Sequence, residues 1–455
     1  MSRDAIVASA LSDLVKPKGW RVVFGNRQLS AGLHKFEQFF DIVVLPRPHF
    51  LSSYFAGDSI KTLKSKYVIL YTEQIGITTS VENPQLTLRK VLDEEFMSGD
   101  VRYVNKVEAF CLWSNQAKNI ILRHYPELGP KCYIVGHPRH DLRANPSISS
   151  NRQTTRKNIG ILTRSLLLND YFGRQPLRSI YDSYNNIHLG GQLEYENVSS
   201  GERYISQVRG SNPKNDFFIE AIDFEIMLSI IEGFKDLDYN ISLRLHPKED
   251  RVLYDKIFGP GKPKLNIVPP ELPFAHWVQS QRFIIGPPST SFYDALLLGV
   301  LPISTCELNS ERSKYVTSMY EDRNQLMASV YKPKNLTELI NFILNVSDET
   351  YSSMSRDPRI IKVLEQEVNY PHQRESLSLF IGVLETLQVG IRSNLKKRLG
   401  VLAFRFIAGF YSELMFPYFL FRQKIFGLRL LNSAGFMMNF TNRRRIRRLI
   451  FDINE

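Results

Sequence analysis

Two textures alternate along this chain. Short apolar runs rich in β-branched and aromatic residues recur, and between them lie stretches whose apolar positions repeat at helical spacing. In the first third the strand-like runs are Arg21–Gly25, Asp41–Pro46, Tyr67–Glu73, Ala109–Ser114 and Cys132–Gly136, with helical stretches such as Thr87–Met97 and Gln116–Tyr125 between them. The alternation then breaks. Residues 146–157 are polar and aperiodic and read as a linker. It restarts at Asn158–Thr163. Asp216–Phe234 follows as an amphipathic helix, with Phe218, Ile222, Ile226, Ile230 and Phe234 at every fourth position beside Met227 and Ile231. Strands Ile241–Leu245, Leu265–Val268 and Phe283–Ile285, a helix Ser291–Gly299 and a strand Leu301–Ser304 complete the pattern, and helical periodicity continues to about Val389.

Alternating strands and helices, interrupted once, predict an α/β protein of two Rossmann-like domains. The expected boundaries are 1–145, a linker at 146–157, a second domain at 158–390 and a separate tail at 391–455. One stretch does not fit. Between Ser165 and Asn215 lie about 50 residues, where strand-to-helix loops run roughly 2–6. This excursion holds Asn169, Asp170, Arg174, Glu194 and Glu196.

At 455 residues the chain is long enough for two to three domains, and 43% hydrophobic against 23% charged residues excludes a disordered chain. Charge changes the picture more. The net charge is +12, and residues 391–455 hold 13 Lys/Arg against 3 Asp/Glu, so ten of the twelve charges sit in the tail. A near-neutral body argues against a nucleic-acid binder. The tail interleaves cations with Phe and Leu, as in Leu399–Tyr411 and Asn442–Phe451, which is the pattern of an interfacial helix on an anionic membrane. The alternative is a packed helical subdomain with a solvated basic end. Leu399–Phe421 is a poor membrane span because Arg405, Glu413 and Pro417 interrupt it. Cys111, Cys132 and Cys306 are odd in number and widely spaced, which argues against a disulfide framework or structural zinc. The first residues lack the apolar stretch of a signal peptide, so a cytoplasmic protein is expected.

Two segments carry the candidate chemistry. The run Leu243-Arg-Leu-His-Pro-Lys-Glu-Asp250 ends a strand in His246-Pro247, with Lys248 beyond. Ligands of open α/β sheets bind outside the carboxyl ends of strands. By the strand's period of two, Ser242, Arg244 and His246 share one face. A histidine there can donate to a phosphate; the plainer reading is a satisfied structural histidine. The second segment, Phe283–Pro302, runs strand, Gly-Pro-Pro, Ser289-Thr290-Ser291, helix. Its hydroxyls and helix start suit an anion, although helix capping alone would explain them. Asp294, one turn in, could meet a ribose hydroxyl or simply be solvated. Asp236-Leu-Asp238 has the spacing of a metal-binding Asp-x-Asp but precedes the His246 strand, at the wrong end of a sheet. No metal is expected. Candidate acid, base or nucleophile carboxylates are Glu73, Glu194, Asp216 and Asp223, with caps or solvated side chains as the alternative for Asp216 and Asp223.

With His246-Pro247 and Ser289-Thr290-Ser291 in place, the chain resembles bacterial surface-polysaccharide glycosyltransferases of the GT-B type. Nearest are the capsule and O-antigen Kdo transferases, and more distant the bacterial sialyltransferases. Phe110-Cys-Leu-Trp-Ser114 through Gly136-His-Pro-Arg-His-Asp141, and Asn158–Arg164 with Asn169-Asp170, also look like stretches of surface-carbohydrate enzymes. The resemblance covers roughly residues 60–310. It implies a GT-B-like arrangement of an acceptor domain and a donor domain facing a cleft. It also implies a CMP-sugar donor of the Kdo type, no metal or other cofactor, and a glycan acceptor, possibly lipid-linked. In that reading His246, Pro247, Lys248, Ser289, Thr290 and Ser291 contact CMP, and Asp294 its ribose. Arg164 or Arg244 would offset the donor carboxylate. The implied place of work is the cytoplasmic face of the inner membrane. Glycerophosphate polymerases that use CDP-glycerol share related features. A non-catalytic polysaccharide-assembly protein is the alternative outside enzymes.

Overall fold

The structure, a computed structural model, describes residues 3–20, 22, 40–45, 64–71, 106–141, 157–165, 168–169, 213–246, 249–258, 265–269, 272–315 and 325–387. It divides into two compact units. One takes Met1–Gly76, Gln85–Pro146 and Glu365–Glu455; the other takes Ile77–Pro84 and Ser147–Leu364.

The first unit begins with helix α1 (Arg3–Val15). Four parallel strands follow in chain order: β1 (Ile42–Leu45), β2 (Lys66–Leu70), β3 (Val107–Leu112) and β4 (Cys132–Ile134). Helix α2 (Asn115–His124) makes the crossover from β3 to β4, and the Ser114 hydroxyl accepts from the Ala117 N–H at 3.3 Å to start it. Strands covered on both faces read as continuous apolar runs. In β3 every residue except Glu108 is buried.

The second unit has five parallel strands: β5 (Asn158–Leu162), β6 (Asn240–Arg244), β7 (Leu265–Ile267), β8 (Phe283–Gly286) and β9 (Leu301–Ser304). Their order is β7-β6-β5-β8-β9. Helices α3 (Pro213–Gly233), α4 (Arg251–Phe258), α5 (Phe274–Gln279) and α6 (Ser291–Leu297) follow β5, β6, β7 and β8 in turn. After β9 come α7 (Gln325–Ser329), α8 (Leu336–Asn345), α9 (Asp348–Ser355) and α10 (Pro358–Val368).

The two faces of this sheet are built differently. On one, Ile159, Ile161, Ile241, Leu243, Phe283 and Ile285 pack with Ile226, Ile230 and Phe234 of α3 and Leu339 and Ile343 of α8. Each such side chain contributes roughly 1.5–3 kcal/mol when taken from water. On the other, Trp277 of α5 sits so close that a Cβ on Gly160 would lie 2.7 Å from its ring and 2.7 Å from Ile284 Cδ1. Glycine at 160 is therefore a packing requirement.

The expected second domain, 158–390, ends too late. From Glu365 the chain belongs to the first unit. Helix α11 (Ser376–Thr386) packs Phe380, Val383 and Leu384 with Val68, Ala109, Cys111 and Val135 of that unit. The crossing falls inside α10, and the local break comes only after it, at Asn369 in the left-handed region and Pro371. Strand ends otherwise shift by one to three residues, most at β2, which stops at Leu70. The expected strand Arg21–Gly25, apart from Val22, the helix Thr87–Met97 and the whole tail 391–455 lie outside the described residues. Among the described residues no helix is long and apolar enough to cross a membrane.

Candidate functional site at the strand switch

In the second sheet the chain runs from β5 outward through β6 to β7, then crosses to the other side of β5 for β8 and β9. The order reverses between β5 and β8. At such a point the two following connections leave in opposite directions and open a crevice at the carboxyl ends of the strands. The two strands are pressed together there. A Cβ on Gly286 would lie 2.9 Å from Leu162 Cβ and 3.0 Å from the Leu162 carbonyl oxygen.

Two loops flank this point, Thr163-Arg164-Ser165 after β5 and Pro287–Thr290 after β8, and the β6 loop at Leu245-His246 joins the β5 loop from its other side. Arg164 Nη1 donates to the Pro288 carbonyl at 3.4 Å, from one side of the crevice to the other. Arg164, His246, Ser289, Thr290 and Ser291 are all half-buried, so a ligand can reach them. The Ser289 hydroxyl accepts from the Ser291 N–H at 3.2 Å and starts α6, while Thr290, at the N-cap, makes no side-chain cap. Helix α6 has only seven residues. Its dipole is correspondingly weak, so the hydroxyls rather than the helix start carry whatever affinity for an anion this loop has.

Arg244 donates to the Pro269 carbonyl at 3.2 Å. Ser242 takes the Trp277 indole N–H at 2.8 Å and donates to Gln281 at 3.0 Å. His246 lies beyond the end of β6, where the strand's alternation no longer dictates its direction. Its backbone is instead held by side chains. The His246 N–H donates to Glu249 Oε2 at 3.0 Å and to Thr163 Oγ1 at 3.1 Å. The same Glu249 carboxylate accepts the Thr163 hydroxyl and the Ser165 N–H. Glu249 is 5% exposed, and burial pushes its carboxyl up to about 7 against these three hydrogen bonds, which act to lower it. The Tyr254 hydroxyl lies beside Thr163 and Ser165 in the field of Glu249 and Glu220, and burial raises its pKa. Asn169 closes the cluster, donating from Nδ2 to the Asp250 carbonyl at 2.8 Å, while its own carbonyl accepts from the Asp250 N–H at 3.1 Å. Glu249 and Thr163 escaped the reading of the sequence. The only signal was a glutamate three residues after a strand-end histidine.

Of the carboxylates singled out, Asp223 is on α3, buried, and held by Arg312, whose Nε lies 2.7 Å from Oδ1 and Nη2 3.4 Å from Oδ2. Asp294 is buried on α6, not solvated. Asp216 falls within α3, but its side chain, like Glu73, Glu194, Pro247 and Lys248, lies outside the described residues. Asp238 is paired with Lys157, which directly precedes β5, so it sits at the amino end of the sheet. Among the described residues no cluster of His, Cys, Asp or Glu is arranged to hold a metal ion. A cavity of about 340 Å³ opens by β9, lined by Pro302, Glu307, Tyr331, Lys332, Asp357 and Arg359, and shares no residue with the crevice.

The class that emerges is an α/β protein of two units, each built on a parallel sheet, with a polar, half-buried rim at the strand switch of the second. No family model and no curated protein matches the chain. Solved structures that resemble it include a putative UDP-N-acetylglucosamine 2-epimerase from Listeria monocytogenes, 12% identical, covering 85% of this chain and 94% of that one at a TM-score of 0.45. The wall teichoic acid polymerase TagF is 11% identical, covering 76% of this chain and 74% of that one at 0.42. A UDP-GlcNAc 2-epimerase from Methanocaldococcus jannaschii is 14% identical, covering 79% and 80% at 0.39.

Proposed function

We propose that the chain is a metal-independent glycosyltransferase of bacterial surface-polysaccharide synthesis. It moves Kdo or a related ulosonic acid from a CMP-sugar to a glycan acceptor, lipid-linked or growing. The observation that carries the reading is the row of His246, Arg164 and the Ser289–Thr290 residues at the carboxyl ends of the adjacent strands β6, β5 and β8, with the strand switch inside that row. A CMP-sugar breaks its glycosidic bond to the phosphate, and the negative charge of CMP is what the enzyme must stabilise. A guanidinium, a histidine and two hydroxyls supply that at the carboxyl ends of β5, β6 and β8. The acceptor hydroxyl loses its proton to a carboxylate. With Asp223 engaged by Arg312, the base falls to Glu73, Glu194 or Asp216. The basic tail 391–455 would keep the enzyme on the anionic inner membrane surface, where a lipid-linked acceptor is found.

The test is a nucleotide panel on the full chain. CMP should raise the melting temperature, and His246→Ala should weaken CMP binding by about tenfold or more, the scale of a charge-assisted hydrogen bond, and abolish transfer. Stabilisation and turnover with CDP-glycerol instead would make it a glycerophosphotransferase. Silence towards every nucleotide would make it a non-catalytic assembly protein.

A further inference from the structure

Within the segment Leu243–Asp250 it is Glu249, not His246, whose side chain is embedded in the fold. One carboxylate oxygen accepts the N–H of Ser165, the residue next to Arg164. The other accepts the N–H of His246 at 3.0 Å and the hydroxyl of Thr163. Thr163 in turn receives the His246 N–H at 3.1 Å and bonds the Arg244 carbonyl from its own N–H at 3.2 Å. One side chain thus grips the backbone of two strand-end loops, and each loop carries a polar group of the rim.

We propose that Glu249 is the positioning residue of the phosphate site, its carboxylate holding the β5 and β6 loops at the spacing at which Arg164 and His246 engage one anion. The identity of that anion rests on the CMP-sugar reading above; the coupling of the loops rests on geometry alone. Glu249 touches no substrate in this scheme. It acts through two backbone amides.

The same geometry makes the grip sensitive to pH. A carboxylate can accept from all three donors. A protonated carboxyl turns from acceptor to donor at one oxygen; on Oε2 its hydrogen points at Thr163 Oγ1, whose own hydroxyl must then turn to the Arg244 carbonyl, 3.4 Å away. The groups facing Glu249 are the Thr163 hydroxyl and the Ser165 N–H from the β5 loop, Tyr254 from α4, and the His246 N–H from its own turn. Glu220 of α3 acts on the same Tyr254 hydroxyl. Desolvation, which brings the carboxyl up to about 7, places the change of state in the neutral range.

The experiment follows the backbone amides of Ser165 and His246 by NMR in the isotopically labelled full chain, from about pH 5.5 to pH 8.5. Wild type, Glu249→Gln and Thr163→Val are compared, with CMP affinity measured in parallel. In wild type both amides should titrate with one shared midpoint. In Glu249→Gln the Ser165 amide should be flat and the His246 amide should lose the midpoint it shared with Ser165, keeping only the titration of its own imidazole, and CMP should bind about tenfold more weakly at the alkaline end, the scale of one charge-assisted hydrogen bond lost. At the acid end, where wild-type Glu249 is itself protonated, the two proteins should converge. A merely structural glutamate would lower the melting temperature without that convergence. Thr163→Val keeps the carboxylate and should perturb the His246 amide more than the Ser165 amide, which covers the case in which Glu249→Gln does not fold. Independent titration of the two amides, or unchanged alkaline CMP affinity in Glu249→Gln, overturns the proposal. If wild type binds no CMP, the donor reading falls, and the shared midpoint alone decides whether Glu249 couples the loops.

Discussion

Both sheets run a strand into a His-Pro dipeptide, and the two outcomes differ. In the first unit β4 leads to Gly136-His137-Pro138; in the second β6 leads to His246-Pro247. His137 is 6% exposed, with its ring against Trp113 at 4.8 Å and against His140 at 5.9 Å. Trp113 is itself tied to the Tyr71 carbonyl at 2.8 Å. Four residues after His137, Asp141 is fully buried and accepts the Leu377 N–H at 3.0 Å, the first turn of α11. His246 is half-buried, and three residues after it Glu249 takes two loop amides and a hydroxyl. A buried carboxylate therefore stands behind each histidine. In the first unit it closes a helix onto the fold, and in the second it fixes two loops beside a crevice. Topology separates the cases. Strands β1 to β4 lie in chain order, so among the described strands of that sheet the order never reverses. A strand-end histidine becomes a candidate site only where a switch leaves space beside it.

The largest effect that would sharpen this contrast is expected at Arg312. Its side chain is 0% exposed and meets Asp223 through two nitrogens. Arg312→Met leaves a buried carboxylate without its cation and should cost about 3–5 kcal/mol in urea denaturation, whereas replacing both partners by apolar residues should recover most of it. That result would fix Asp223 as a structural carboxylate that ties α3 to Arg312. A loss well under 1 kcal/mol on the order of an exposed pair would break the assignment and return Asp223 to the list of catalytic carboxylates.

Next in size is the pH dependence of stability. The Glu249 carboxyl ordinarily titrates near 4.5 and in the fold is brought up to about 7 by burial. It takes up a proton on folding, so its contribution to stability is full below about 4.5 and is lost as pH rises through about 7. The loss should be on the order of 3 kcal/mol over that window, and Glu249→Gln should lack it. Stability and loop order thus pull in opposite directions: the protonated form is the cheaper one to bury, and the ionised form is the one that holds three donors. Equal pH slopes for the two proteins in chemical denaturation would remove the charge from the account.

Much of this architecture is legible in the chain because parallel strands are buried on both faces. Continuous apolar runs such as Phe283–Ile285 and Leu301–Ser304 stand out against the polar text, and each became a strand. The fourfold spacing from Phe218 to Phe234 likewise became α3, with Phe218 stacked on Tyr315 at 4.8 Å. His246 is visible because it follows a strand end, and Ser289 because it precedes a helix start. Glu249 was not, since a glutamate in a polar turn looks solvated until the fold closes over it. Strand order was not legible either, and without it the crevice between β5 and β8 has no address. The return of the chain to the first unit is made by long-range contacts, the packing of α11 on Val68, Ala109 and Cys111 and the bond between Asp141 and Leu377, 236 residues apart, which no local pattern can announce.

The smallest predicted effect is the one that tests the comparison most directly, because it applies the same change of charge to each carboxylate. Asp141→Asn keeps an oxygen that can accept from Leu377, removes the charge and puts an amide donor in place of the second oxygen. The carboxylate lies at the start of α11, where a negative charge is favoured by the helix dipole, so its removal should cost about 0.3–1 kcal/mol. Because Asp141 serves a helix and not a ligand loop, CMP affinity should be unchanged across the whole pH range. Glu249→Gln is the matching isosteric change in the second unit and should alter CMP affinity at alkaline pH. If Asp141→Asn weakened CMP binding as much as Glu249→Gln, the two carboxylates would belong to one functional network. The division of roles between the two His-Pro loops would then have to be abandoned.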